Sequence, residues 1–155
     1  MTFETNWNFS EKYIHNIAEI LRANAMHIID IEVATPEDDM KHATDLKITI
    51  KGGDIAVRIR RSKWSYRDIT IRAYKNGNRT EIDKLRDGYG DWYLYAWEAS
   101  DQNSLAEWVL IDINKARELF LQERPIKMNN DQTSGFIAYS IDEFKNINAV
   151  VEHRS

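Results

Sequence analysis

Two neighbouring segments of the chain alternate between apolar and polar residues at every second position. They cover residues 46–51 and 55–60, and a Gly-Gly-Asp sequence at residues 52–54 separates them. A period of two is typical of a β-strand with one buried face, and two glycines followed by an aspartate favour a tight turn. The pattern predicts a β-hairpin in which Val57 and Ile59 face the core and the intervening arginines face solvent or a cleft.

Helix and strand patterns alternate along the rest of the chain. Helices are predicted from the period of apolar residues and from capping residues, at residues 10–25, from 35 to before 45, 80–86, 114–122 and from 140 onward. Strands are predicted at residues 68–74, 92–97, 107–112 and 136–139. Residues 27–33 fit a strand or a helix extension, and the tail at residues 153–155 is predicted to be frayed. This order predicts a single α/β domain over residues 1–155, with an α+β mixed sheet flanked by helices.

The composition excludes several classes of protein. Five Trp, seven Tyr and five Phe in 155 residues argue against a disordered chain. The absence of cysteine excludes disulfides and thiolate metal sites, and it fits a reducing compartment. No segment approaches the ~18 apolar residues of a membrane span, and the first residues lack the basic and apolar regions of a signal peptide. We therefore expect a soluble, cytoplasmic protein.

A basic segment lies inside an acidic chain. Residues 58–86 contain ten Lys or Arg and three acids, whereas the whole chain has a net charge of −4, so the remainder carries −11. Just upstream, residues 30–45 contain six carboxylates and a single cation, Lys41. Carboxylates can hold a divalent metal and cations can hold phosphate, which together predict phosphodiester chemistry. The alternative is that all of these charges are simply solvated.

Three arginines are candidates for binding phosphate. Arg58 and Arg60 share one face of their predicted strand, and Arg72 shares a face of the next strand with Asp68. Two guanidinium groups on one face repel each other unless an anion lies between them, and a phosphate or Asp45 could fill that role. We therefore predict that Arg58, Arg60 and Arg72 contact phosphate. The alternative is a solvated sheet face with cross-strand ion pairs.

Two aspartates that open predicted strands are candidates for a metal site. Asp45 and Asp68 could supply the hard oxygen ligands that Mg²⁺ or Mn²⁺ prefers. Glu81 and Lys84 are three residues apart on a predicted helix, so they share a face and could point at one site. Each has a plainer alternative: Asp45 could cap a turn, Asp68 could pair with a nearby arginine, and Glu81 and Lys84 could form a surface ion pair.

The layout resembles the restriction-endonuclease-like nucleases of the PD-(D/E)XK superfamily, whose core is a helix, an acid-bearing hairpin, a further strand, a helix and a strand. Five segments carry this resemblance: DMKHATDL (39–46), IAVRIRR (55–61), RDITIR (67–72), TEIDK (80–84) and GYGDW (88–92). The same segments are similar to those of small, mostly uncharacterised proteins encoded by phages and prophages. That second resemblance spans about residues 10–145 and implies a location in the host cytoplasm.

The resemblance implies a magnesium-dependent deoxyribonuclease, with DNA as its partner and a homodimer as its assembly. It assigns catalytic roles to Asp45, Asp68, Glu81 and Lys84, with Mg²⁺ held by Asp45 and Asp68. The chain departs from the family where an acid, any residue and a lysine should share one strand, because Thr70 follows Asp68 in that pattern. Lys84 could replace the lysine, whereas an arginine cannot act as a base near neutral pH. The alternative is a protein without catalysis that binds DNA or a host protein.

Overall fold

The computed structural model describes residue 9 and residues 11–24, 29–33, 46–50, 54–63 and 66–155, with the two ranges 29–33 and 46–50 described as backbone only. The chain divides into two compact units, residues 1–53 and 54–155. The helix predicted from Thr35 and the metal candidate Asp45 lie outside the described residues. Within the described part, no helix is long and apolar enough to cross a membrane.

The first unit contains one helix and two strands among its described residues. Helix α1 covers Ile14–Ala23, strand β1 covers Ile29–Val33 and strand β2 covers Leu46–Ile50. The strands pair antiparallel, with Ile29 opposite Ile50. Helix α1 lies within the predicted range 10–25, and β1 decides between the two alternatives for residues 27–33 in favour of a strand.

The second unit combines two sheets with three helices among its described residues. Its elements in chain order are β3 (Ile55–Arg60), β4 (Ile69–Lys75), α2 (Glu81–Arg86), β5 (Trp92–Glu98), β6 (Leu105–Asp112), α3 (Ile113–Leu121), β7 (Lys127–Met128), β8 (Ser134–Tyr139), α4 (Ile141–Asn146) and β9 (Val150–Arg154). One sheet has the order β3-β5-β6-β9, with β3 and β5 parallel and the other pairs antiparallel. The other has the order β4-β8-β7 and is antiparallel. The predicted fold class, helices with a mixed sheet, is confirmed.

The predicted hairpin of residues 46–60 is wrong. Strand β2 pairs with β1, and β3 pairs with β5 in parallel. Every residue of β5 is buried, so this strand needs a hydrogen-bonded neighbour on each edge, and β3 and β6 provide them. A parallel pair needs a long crossover, and here β4 and α2 lie between the two strands. Alternation identified both strands of the supposed hairpin but not their partners.

The core of the second unit lies between the two sheets and the helices. Tyr93, Tyr95 and Trp97 of β5 share one face and belong to the same buried cluster as Ile71 of β4 and Phe144 of α4. Complete burial of an aromatic or branched side chain stabilises a fold by roughly 1.5–3 kcal/mol. The cluster also contains Ile82 of α2, so it fixes how β4, β5 and α2 pack together.

The predicted orientation of β3 is wrong as well. Arg58 lies opposite Tyr95 in the β3–β5 pair, so the arginines are on the same face as the core aromatics, and Val57 on the other face is 43% exposed. An arginine can occupy this position because its aliphatic stem packs on a ring while its charged end reaches polar partners. The guanidinium carbon of Arg60 lies 5.9 Å from the centre of the Tyr95 ring.

The predicted fraying of residues 153–155 is wrong, because β9 pairs with β6 through Arg154. A buried carboxylate explains the ordering. Glu107 of β6 is 2% exposed, and its carboxylate lies 2.7 Å from Nε2 of His153 and 2.6 Å from the guanidinium of Arg67. A buried acid needs such partners, and one of them is supplied by the C-terminal strand.

Helix α2 begins at the predicted N-cap, Thr80, and a capping box forms there. The backbone N–H and the hydroxyl of Thr80 donate to Asp83 at 2.8 and 2.9 Å, and the backbone hydrogen bond is the main reason that the pKa of Asp83 is lowered. The folded state therefore binds this proton less readily than the unfolded state, so Asp83 stabilises the fold at neutral pH and ceases to do so as the pH falls through its lowered pKa. We expect Asp83→Ala to cost about 0.5–1 kcal/mol at pH 7. Urea denaturation should show the difference from wild type vanishing in acid; a difference that persists there would contradict this account.

Candidate nucleic-acid interface

Polar side chains cover the edge of β4 that faces away from β8. The Thr70 N–H donates to the Tyr95 hydroxyl at 3.4 Å, the Thr70 carbonyl accepts from Arg58 at 3.3 Å, and the Arg72 N–H donates to Glu81 at 3.4 Å. Unpaired backbone groups at a strand edge would otherwise need water or another strand. Side chains from β3, β5 and α2 therefore take the place of a neighbouring strand.

Glu81 is the main acceptor at this edge. One carboxylate oxygen accepts from the Tyr93 hydroxyl at 2.6 Å and the other from Arg58 at 3.2 Å. Burial and then the charge of Glu81 raise the pKa of Tyr93 well above its ordinary value, which keeps the hydroxyl protonated as a donor. Burial alone lowers the pKa of Arg58, but interactions with Tyr93 and Glu81 outweigh burial and the pKa is raised. Arg58 is therefore a permanent cation held by Glu81.

Arg60 makes a second set of contacts beside the first. Its guanidinium donates to the Asp68 carboxylate at 2.8 Å, to the Tyr66 carbonyl at 3.0 Å and to the Thr70 hydroxyl at 2.9 Å. The side chain is 11% exposed. Most of the donor capacity of this guanidinium is therefore used inside the protein.

The structure brings four of the predicted site residues together around Thr70, and they are Arg58, Arg60, Asp68 and Glu81. We call these four residues with Thr70, Tyr93 and Tyr95 the edge network. The side chains of Arg72 and Lys84 are exposed and lie outside it. Pairing with a nearby arginine is the plainer alternative for Asp68, and Asp68 does form an ion pair with Arg60.

The edge network does not suit a magnesium ion as it stands. Asp68 accepts a hydrogen bond from Arg60, and both oxygens of Glu81 accept from other donors, so a cation would have to displace these partners. Across the ranges that the structure describes, no group of three or more histidine and acidic side chains is placed to hold a metal. The implied ligand Asp45 lies outside those ranges.

Other cations of the basic segment also have internal partners. Arg67 pairs with Glu107, Arg79 pairs with Asp87, and Arg86 donates to the Phe120 carbonyl at 2.6 Å. Three cations differ from these: their side chains are exposed and form no ion pair within the described part of the chain, and they are Arg72, Lys75 and Lys84. Much of the positive charge of this segment is therefore paired within the protein, whereas these three exposed residues have no ion pair in the described part of the chain.

Arg72 and Lys75 lie on β4, and Lys84 lies on α2, the helix that packs against β4. The turn that follows β4 has Asn76 and Gly77 at φ angles of 47° and 75°, which asparagine and glycine adopt more readily than other residues. Two exposed tyrosines lie in the same part of the chain, Tyr74 at 38% and Tyr89 at 65% exposure. Arg79 is added because its guanidinium lies over the Tyr89 ring, although it also pairs with Asp87. We call these six residues the corner surface: Arg72, Tyr74, Lys75, Arg79, Lys84 and Tyr89. Sequence reasoning missed Tyr89, although an aromatic residue between two glycines was a signal.

No family model, no curated protein and no solved structure matches the chain. Any functional conclusion therefore rests on the arrangement of its own residues.

Proposed function

We propose that the protein binds DNA through the corner surface, without a metal ion. The observation that carries this proposal is the contrast between two groups of cations. Arg58 forms an ion pair with Glu81, and Arg60 forms one with Asp68. Arg72, Lys75 and Lys84, in contrast, are exposed and have no ion pair within the described residues. Cations of the second kind are available to phosphate at no cost in internal ion pairs.

The charge distribution makes such binding local and dependent on salt. Residues 54–155 contain sixteen Lys or Arg and sixteen Asp or Glu, so the second unit is neutral overall, and residues 1–53 carry the net −4 of the chain. A protein without a net positive charge is not attracted to DNA as a whole. Affinity must come from a few phosphate contacts, whose strength falls steeply as salt rises.

Hydrolysis by Mg²⁺ or Mn²⁺, the activity that the resemblance implies, stays a prediction. In our proposal Asp68 and Glu81 act as internal counter-ions of arginine, so a metal site would depend on Asp45 and other residues outside the described ranges. If the experiment below detects no DNA binding, binding to a host protein is the alternative that remains.

The test is a titration of labelled DNA with the protein in EDTA, followed by fluorescence anisotropy between about 50 and 200 mM salt. We expect binding that needs no divalent metal and weakens with salt. An absence of binding at the lowest salt concentration would overturn the proposal. The same DNA incubated with Mg²⁺, with Asp45→Ala as the control, shows whether cleavage accompanies binding.

A further inference from the structure

Tyr89 is an exposed aromatic residue on a fixed backbone. Gly88 and Gly90 on either side of it have φ angles of +95° and +81°, which residues other than glycine rarely adopt. The Tyr89 N–H donates to the carbonyl of Lys84 at 3.0 Å, which ties the loop to helix α2. The backbone position of Tyr89 is therefore set by the fold, although 65% of the residue is exposed.

The side chain of Tyr89 is supported as well. The guanidinium carbon of Arg79 lies 5.5 Å from the centre of the ring, and Arg79 is itself held by its ion pair with Asp87. An exposed tyrosine without such support would lose side-chain entropy on binding a ligand. Here much of that cost is already met in the free protein.

We propose that Tyr89 stacks against an unpaired base, so that the corner surface selects single-stranded DNA or an unpaired segment over duplex. This inference rests on the proposed function and adds the class of nucleic acid to it. The ring supplies a flat apolar surface, and Lys84, whose carbonyl accepts from the Tyr89 N–H, supplies charge for a phosphate that flanks the stacked base. Sites for single strands combine these two features, aromatic platforms and cations along the backbone.

Duplex DNA has few base faces that are free to stack on the Tyr89 ring. The faces of its bases are covered by their neighbours in the stack, so an exposed ring gains nothing from them unless the duplex is opened. Cations alone would bind both forms through phosphate. The preference for unpaired bases therefore comes from Tyr89, and it should disappear when the ring is removed.

The experiment compares a single-stranded thymidine oligonucleotide with a duplex of equal length by anisotropy in EDTA. Wild type should bind the single strand more tightly, and Tyr89→Leu should weaken single-strand binding by about tenfold while leaving duplex binding unchanged. Tyr89→Trp keeps a stacking surface and should retain the preference.

Tyr66→Leu is the matched control. Tyr66 is 67% exposed, but it lies before the start of β4 rather than at the corner surface, and its recorded hydrogen bonds use its backbone carbonyl. Its substitution should leave both affinities unchanged. Equal binding of the two DNA forms, or an unaltered preference in Tyr89→Leu, would overturn this inference and leave DNA binding itself intact. A protein that binds neither form would overturn both proposals.

Discussion

Replacing Glu81 with alanine is expected to lower the free energy of unfolding by about 3 kcal/mol. The substitution removes the acceptor of the Tyr93 hydroxyl, which is 2% exposed and cannot turn to water. It also removes the counter-ion of Arg58 and the acceptor of the Arg72 N–H. The first loss matters most, because the Arg58 side chain is 39% exposed and can be rehydrated. Urea denaturation followed by tryptophan fluorescence measures the change.

Two further variants separate the contributions. Glu81→Gln keeps an oxygen for Tyr93, but its amide NH2 cannot accept from Arg58 and the Arg72 N–H as the second carboxylate oxygen does. It should therefore cost about 1–2 kcal/mol, less than Glu81→Ala. Lys84→Ala changes an exposed side chain of the same helix and should stay within about 0.5 kcal/mol of wild type. A Glu81→Ala protein as stable as the Lys84→Ala protein would show that the edge network does not hold β4 in place.

Features set by a few adjacent residues could be predicted from the sequence. The helix start predicted at Thr80 and the capping box predicted for Ser140 with Glu143 both form. The turn after β4 forms too, and in it the N–H of Asn78 donates to the carbonyl of Lys75. Each of these depends on side chains and backbone within one turn of each other, so no distant residue has to be known.

Features set by distant partners could not be predicted in the same way. The alternation of residues 46–60 fits a hairpin, yet the fully buried β5 recruits β3 as its parallel neighbour. The same pairing turns Arg58 toward the aromatic face. Periodicity reports that one face differs from the other, but the burial of an amphipathic arginine depends on the partners that the fold provides.

The candidate site shows the same limit. Sequence patterns identified Arg58, Arg60, Asp68 and Glu81 as charged groups that could meet, and they do meet. The patterns did not show that these groups would neutralise each other. That outcome depends on the edge of β4 at Thr70, which faces away from β8 and bonds to side chains instead. An ion pair and a metal site need the same residue types, and only the contacts of each carboxylate distinguish them.

The second large effect is expected from the combined substitution of Arg72, Lys75 and Lys84 by alanine. Each is exposed and unpaired within the described residues, so the fold should remain stable. If each contacts a phosphate, DNA affinity at about 100 mM salt should fall at least tenfold. The slope of log affinity against log salt should become shallower by about two to three.

A control variant should remove the same number of positive charges, so that it and the corner-surface variant differ only in where the charges are lost. Lys115, Lys127 and Lys145 are likewise exposed, and they lie on α3, β7 and α4 rather than at the corner surface. Their combined replacement by alanine also removes three positive charges. It should shift DNA affinity by less than about threefold, since distant exposed charges are largely screened at this salt concentration.

The most direct test of the central claim is therefore the salt dependence of DNA binding in EDTA for these two triple variants and the wild type. The account predicts weak binding with a shallow slope for the variant of Arg72, Lys75 and Lys84, and near wild-type behaviour for the control. Equal affinities and equal slopes for the two variants would contradict the claim that the corner surface, and not the edge network, contacts DNA.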